Sequence, residues 1–382
     1  MAAGAVTVVE ATTKADRGRF IDLIYRLYAR DPHWVPPLRG EARGLIEGIK
    51  TNPWFEHGRA RYWLALRDGK VVGRISAQVD RLVLDHMGPH IGHWGLFECE
   101  DDQAVAGALL GAAEAWLRGE GMTTAMGPFS ISIWDEPGLL VDGFDRSPAV
   151  MMGHHLPYYA KLIEAHGYRG VKDLHTYELP IDKPFPDIVQ KIVAASEKSG
   201  KFITRTADKT RFAEEAAIVL GILNDAWQDN WGFVPLTPLE VAFVGKKLKP
   251  IVYGDLVRIA EIDGKPVAFM IALPDVNEII RGFGGRLFPF NWIKLLLALR
   301  KPKVRRIRVP LMGVIKPLQG TRLASMMAFQ MIEYIRRASF ENYGATRGEI
   351  GWILEDNGPM RSIADVIESK VTRTYRIYER AL

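Results

Sequence analysis

The sequence predicts an α/β protein made of two tandem domains, each a mixed sheet covered by helices. Three observations predict it. The same order of strands and helices runs through both halves of the 382 residues. Each half carries a tight hairpin with an Asp-Gly turn, at Asp68-Gly69 and Asp263-Gly264. The stretch Arg305–Arg337 passes from an apolar strand through a glycine-bearing loop into a long helix.

In the first half, Val6–Glu10 reads as a strand and Asp16–Ala29 as a helix. Tyr62–Arg67 and Val71–Val79 pair about Asp68-Gly69-Lys70, and Ile91–Glu98 is the next strand. Gln103–Gly119 is a helix in which Val105, Leu109, Ala112 and Trp116 keep helical spacing, so one face is buried. The strand Thr123–Pro128, the helix Tyr158–His166 and the strand Asp173–Leu179 complete a domain over 1–180. Pro180, Pro184 and Pro186 introduce a linker helix within 181–200. The second domain, 201–382, opens with the strand Phe202–Thr206, the helical region Thr210–Trp227 and the hairpin Leu256–Glu261 with Pro266–Ala272. After the strand, loop and helix of Arg305–Arg337 come the strand Gly344–Leu354, a turn at Glu355–Met360, the helix Arg361–Ser369 and a last strand, Val371–Tyr378.

A strand that delivers its carboxyl end to a helix start is a place to hold pyrophosphate. The N–H groups of Gly320, Thr321 and Arg322 are expected to be free there, beside the positive end of the helix dipole. Gln319-Gly320-Thr321-Arg322-Leu323-Ala324 resembles the Q/R-x-x-G-x-G/A signature of the GCN5-related N-acetyltransferase (GNAT) superfamily. Arg322 stands where that family usually has glycine, which either crowds the pyrophosphate or adds a cation beside it. The order of elements is similar to the GNAT fold in both halves. The resemblance implies tandem GNAT domains, the second binding acyl-CoA as co-substrate through Val314, Ile315, Gln319, Gly320, Thr321, Arg322, Leu323, Ala324 and Asn357. At the same point the first half has Phe97-Glu98-Cys99-Glu100-Asp101-Asp102, whose carboxylates repel a diphosphate and suit capping of their own helix. That domain is expected to lack CoA and to complete the substrate pocket.

Four further stretches resemble one tandem-domain bacterial branch of the superfamily: Arg30–Leu38, Asn52–His57, Gly138–Asp145 and Trp352–Asn357. The branch includes bacterial ceramide synthases, which join a fatty acyl group from acyl-CoA to the amine of a sphingoid base. The resemblance implies an acyl-CoA-dependent N-acyltransferase acting on a lipid amine. The alternatives are an acetyltransferase of a small polar amine and a catalytically silent acyl-CoA sensor. Direct transfer needs a neutral amine, so a carboxylate must take its proton, and the leaving thiolate needs an acid. Glu349 or Glu355 is the candidate base, and Tyr375 or Tyr378 the candidate acid. Ser130, Trp134, Asp135 and Glu136, in a polar loop after a strand, are candidates for the amine-binding wall. His154-His155 reads as a capping or surface pair.

Composition sets the outer bounds. Hydrophobic residues at 48% with 25% charged are globular values. A single cysteine, Cys99, excludes a disulfide framework and any cysteine-based metal site, which points to the cytoplasm. No metal is expected. No secretory signal is visible at Met1–Thr13, and no run of 18 apolar residues could span a bilayer. Zinc-finger spacing, basic recognition helices and nucleophile motifs are missing, so nucleic acid is not an expected partner. One segment, 287–308, joins an aromatic, leucine-rich helix to a basic trailing edge. It suits peripheral contact with the inner face of the cytoplasmic membrane, the wall of an acyl tunnel, or a core helix with solvated cations.

Overall fold

The structure, a computed structural model, describes residues 4–382. The first half runs β1 (Thr7–Glu10), α1 (Lys14–Leu27), α2 (Arg39–Ile46), β2 (Gly58–Arg67), β3 (Lys70–Asp80), α3 (Arg81–His86) and β4 (Ile91–Cys99). It continues through α4 (Gln103–Gly119), β5 (Thr124–Gly127), β6 (Leu139–Asp142), α5 (Tyr159–Ala165) and β7 (Arg169–Pro180). Helix α6 (Asp187–Ser199) leads to β8 (Ile203–Thr206), α7 (Phe212–Trp227), α8 (Pro238–Leu248), β9 (Val257–Ile262) and β10 (Lys265–Pro274). Then follow α9 (Asn277–Ile280), α10 (Asn291–Arg300), β11 (Arg306–Val314), α11 (Arg322–Tyr343), β12 (Arg347–Leu354), α12 (Gly358–Val366) and β13 (Lys370–Ala381).

Local chemistry accounts for these elements. Both hairpins turn as the Asp-Gly pairs require: φ is +49° and +74° at Asp68 and Gly69, and +48° and +74° at Asp263 and Gly264. Asp102 starts α4 by accepting from the N–H groups of Ala104 (2.8 Å) and Val105 (3.2 Å), which gives one of the four acidic residues its structural role. Thr237 and Glu240 form a capping box at α8. Helix α4 lays Val105, Leu109 and Leu117 on the sheet of the first half, and α11 lays Met327, Met331 and Ile335 on that of the second.

All the described strands join one mixed sheet, in the order β1-β2-β3-β4-β5-β13-β7-β12-β11-β10-β9-β8, with β6 paired to β13 off this path. The closing strands of the halves are exchanged. β13 lies against β5 of the first half, β7 lies against β12 of the second, and the two pair with each other antiparallel. A small core of Met126, Phe129, Leu140, Leu174, Tyr375 and Ile377 seals this seam.

In each half two parallel strands part company. β4 and β5 pair only from Ile91↔Thr124 to His93↔Met126, and β11 and β12 from Arg306↔Arg347 to Val309↔Ile350. The first gap is filled by the chain itself. The Phe129 N–H donates to Trp94 O at 2.8 Å, and Gln78 Nε2 donates to Phe129 O at 2.8 Å. A Cβ at Gly95 would lie 1.5 Å from Phe129 O, so only glycine allows this approach. In the second half β11 continues along β10 as far as Val314, and its edge remains parted from β12 beyond Val309.

The exchange makes each half the supplier of an interior strand to the other. We expect residues 1–200 and 201–382, produced separately, to form aggregates or poorly ordered chains, and to recover native-like circular dichroism only when refolded together. Two independently soluble halves with cooperative melting would contradict the exchange.

Candidate active site

A cavity of about 450 Å³ opens between the first half and α8–α10 of the second. Its lining includes apolar side chains, with Phe20 and Ile24 of α1, Trp34, Leu45 of α2, Leu248 of α8 and Leu295 of α10. A polar part of the lining comprises Arg74, Glu98, Ser130, Asp135, Glu136 and His155. Thus the amine-wall candidates Ser130, Trp134, Asp135 and Glu136 all line one cavity.

The electrostatics of this polar part are distinctive. Desolvation pushes the Glu136 carboxyl up to about 7, with repulsion from Asp135 and Glu98 adding to it. Asp135 is pushed to about 6 by the same burial, opposed by a 2.8 Å hydrogen bond from Ser132 Oγ. Glu98 is also raised, although Tyr28 and Tyr159 donate to it at 2.8 and 2.7 Å. Arg74 stands opposite Glu98 at 3.9 Å, with Nη1 donating to Phe20 O at 2.9 Å. The His155 ring is pushed down to about 3 by burial. Its Nδ1 accepts from the Leu140 N–H at 3.0 Å, so the neutral ring carries its proton on Nε2. Three buried carboxyls thus gather on the lining, with Arg74 acting on Glu98 and Glu136 and Lys247 acting on Asp135.

The His154-His155 pair was expected at a cap or on the surface; the structure puts both rings on the cavity instead. Gly153 packs closely on this cluster: a methyl there would sit 3.4 Å from Glu136 Oε2 and 3.1 Å from His155 Cε1. His154 Nε2 is bonded to Asp31 Oδ2 at 2.8 Å. The segment carrying these residues is held by the second half. Arg308 donates to Val150 O (2.5 Å) and Met151 O (2.9 Å), Arg306 to Ser147 O (3.1 Å), and Asp275 accepts from the Val150 N–H at 2.8 Å.

The other candidates lie elsewhere. Glu349 is buried with Oε2 on Arg306 Nη1 at 3.0 Å and is not on the cavity; burial raises its carboxyl, opposed by Arg306, Arg373 and Arg308. Glu355 accepts from the Asp173 N–H at 3.2 Å, and Asn357 caps α12 by accepting from the Met360 N–H at 3.1 Å. The Tyr375 hydroxyl is fully buried and donates to Gly153 O at 2.9 Å, and burial pushes it up to about 12. Tyr378 is spent on Glu164 at 3.0 Å. Tyr375 therefore supports the histidine segment from beneath.

The glycine loop before α11 is tied down by its own side chains. Gln319 Nε2 donates to Ala226 O and Val314 O, both at 3.0 Å, and ties the loop to α7 and β11. Thr321 Oγ1 accepts from the Ala324 N–H at 3.1 Å and donates to Leu318 O at 2.6 Å. The Thr321 N–H, expected to be free, is bonded to Leu318 O at 3.2 Å. Arg322 and Leu323 present the N–H groups of the first turn, with Gly320 in open space and the Arg322 side chain exposed. Arg322 therefore stands beside the loop without filling it. Val314 and Ile315 are half-buried behind it. An indole pair bridges cavity and loop strand: Trp134 stacks on Trp227 (6.0 Å, 13°), and Trp227 Nε1 donates to Met312 O at 3.1 Å.

No family model matches the chain. A protein named bacterial ceramide synthase, from Caulobacter vibrioides, is 42% identical over 378 residues, covering 99% of this chain and 98% of its own. Protein YghO of Escherichia coli is 40% identical over 370 residues, covering 97% and 94%. The chain belongs to the bacterial ceramide synthase family. Its fold is that of tandem GNAT proteins. A tandem GNAT protein of the clavulanic acid biosynthesis pathway superposes with a TM-score of 0.57 at 13% identity, covering 98% of both chains. A GNAT enzyme of Sphaerobacter thermophilus gives 0.53 at 14% identity, covering 98% and 95%. The protein is an N-acyltransferase.

Two of the stretches that carried the resemblance reach the cavity or what supports it. Arg30–Leu38 supplies Asp31 to His154 and Trp34 to the wall. Asn52–His57 supplies a clamp on α8: His57 is buried between Asp80 (Nδ1 to Oδ1, 2.8 Å) and Glu240 (Nε2 to Oε1, 3.2 Å). Arg74 and Glu98 were missed, because a charged residue inside a strand pattern carries no signal of the space it faces.

His57 is raised to about 9; desolvation opposes this, and the hydrogen bonds and charges of Asp80 and Glu240 outweigh it. A raised histidine stabilises the fold fully below its unfolded value near 6.5, and this contribution is lost as pH rises through about 9. We expect His57→Gln to lower the melting temperature at pH 6, with the gap to wild type closing by pH 9.5. A gap that is constant with pH would show that the imidazolium charge is not what holds α8.

Proposed function

We propose that the acceptor is a long-chain lipid amine of the sphingoid-base type and that the donor is a fatty acyl-CoA. In this reading the second half holds the acyl-CoA, and the first half supplies the acceptor cavity. The carrying observation is the cavity itself: lined by many apolar side chains, holding the carboxyls of Glu98, Asp135 and Glu136, and one indole pair away from β11. Its volume lies within the range of roughly 300–1,000 Å³ common for small-molecule sites. The name of the Caulobacter relative supports the same product class.

Acyl-CoA supplies an acyl group activated as a thioester. Glu136, raised to about 7, takes the proton from the alkylammonium and leaves a neutral amine at the polar lining. The amine nitrogen bonds to the acyl carbon as the carbon–sulfur bond breaks, and the second amine proton leaves as the thiolate is protonated. Asp135 and Glu98 favour the incoming cation, and Nε2–H of His155 supplies a neutral donor beside Glu136. Glu349, Glu355 and Tyr375 have structural partners in place of these roles. The protein would act as a peripheral protein at the cytoplasmic membrane; among the described residues no helix is long and apolar enough to cross one.

Purified protein with palmitoyl-CoA and a sphingoid base should release thiol and give an N-acyl product by mass. Glu136→Gln should retain the wild-type melting temperature and lose about 100-fold or more in kcat. In wild type, kcat/KM should rise with pH through about 7 as the Glu136 carboxyl ionises. Turnover with acetyl-CoA and small amines alone would overturn the lipid reading. Full activity in Glu136→Gln, with loss in a folded Glu349→Gln, would return the base to β12.

A further inference from the structure

We propose that α10 and the loop before it form a wall between the acceptor cavity and an anionic bilayer, so that the lipid amine reaches the cavity past α10 without crossing water. This rests on the lipid-amine reading of the cavity. Helix α10 has no buried residue. Leu295 and Leu299, one turn apart, line the cavity. The neighbouring positions face outward: Leu296 is 50% exposed and Leu297 57%, while Phe288 and Phe290 in the preceding loop are 77% and 69% exposed. One ten-residue helix is thus apolar on both faces, with ligand space on one side and solvent on the other. Apolar rings held out in water at a cavity wall mark a surface that is covered in use.

Charge identifies what covers it. From Ile279 through Ile332 the chain has no Asp or Glu. Exposed around the patch are Arg286, Lys294, Arg300, Lys301 and Lys303, with no carboxylate in the tract to neutralise them. Aromatic and leucine side chains ringed by uncompensated cations complement anionic headgroups over acyl chains. At about 1.5 Å per residue the helix is roughly 15 Å long, half of a bilayer core, so it lies in the interface and does not span. The wall is anchored from behind by Tyr253, whose hydroxyl donates to Leu299 O at 2.5 Å, and by the Arg39 N–H on Gly285 O at 2.9 Å.

The test is co-sedimentation of the full chain with phosphatidylcholine vesicles, with and without about one-third phosphatidylglycerol. Wild type should bind the anionic vesicles and lose them at high salt. A Phe288→Ser, Phe290→Ser, Leu297→Ser triple variant should lose about tenfold or more in vesicle affinity. Lys294→Glu with Lys301→Glu should abolish the preference for anionic lipid. Neither variant touches the cavity lining, so turnover of a detergent-dispersed acceptor should be unchanged while turnover of a vesicle-embedded one falls. Wild type that fails to bind vesicles, a triple variant that binds as wild type, or a patch buried in a dimer of this chain would each overturn the proposal. Failure of wild type on the dispersed acceptor would instead sink the lipid-amine reading of the cavity, leaving the vesicle result to stand or fall by itself.

Discussion

Three buried guanidinium groups hold the molecule in its working arrangement. Arg306, Arg308 and Arg373 leave the second-half strands β11 and β13 and end on carbonyls of residues 143–151 in the first half. Asp275 and Glu349 balance them: Arg306 reaches Asp275 at 2.6 Å and Glu349 at 3.0 Å. Such a cluster is costly to desolvate. Its contribution to net stability is therefore modest, yet removing one member strands a charge at a cost of roughly 3–5 kcal/mol. What the cluster specifies is position. The segment it clamps continues directly into Gly153, His154 and His155, so the geometry of the polar lining depends on cations from the opposite half.

The two halves have used the same gap in the sheet differently. In the first, the chain after β5 turns back across the parted strands, and Phe129 closes them with hydrogen bonds to Trp94 and Gln78. The loop released beyond that closure, Ser130 to Gly138, is the one that carries Asp135 and Glu136. In the second, β11 runs on to the glycine loop and the start of α11. Filling one gap thus creates the loop that carries Asp135 and Glu136, and leaving the other open keeps the proposed donor loop clear of the chain. The Trp134–Trp227 stack joins the two without a backbone connection.

Much of this was legible in the sequence. Asp-Gly turns, the α4 stripe and the glycine loop are local signals, and the elements they mark occur where expected because short-range chemistry decides them. The exchanged strands were not legible. An alternating pattern tells a strand which face is buried, but both β7 and β13 are apolar enough to lie beside either partner. The carboxylates show the same limit. Glu349 and Glu136 are alike as letters, and both are removed from bulk water. One is met by arginines and the other by open cavity, a difference made by residues far away in the chain. The two histidines misled for a related reason: adjacent side chains on a regular element point apart, whereas here they lie in an irregular segment clamped by the second half, and both residues line the cavity.

The proposed lipid-amine acceptor has a physical argument in its favour over the many small amines that are also cations. The polar part of the lining raises its carboxylates and depresses its histidines, so it is expensive to enter. An ammonium leaving water for that space loses several kcal/mol of hydration, which its new partners return only in part. A small polar amine has nothing else to offset the loss. A long alkyl chain brings about 0.8 kcal/mol for each methylene buried, so ten of them contribute roughly 8 kcal/mol. The apolar side chains of the lining, Phe20 and Leu295 among them, are where that gain would be made. In the proposed reading the seated ammonium meets Glu136, whose affinity for a proton is already raised, and transfer to it would remove the charge that was costly to bury. The same desolvation that disfavours small amines would then convert a lipid ammonium into the neutral nucleophile.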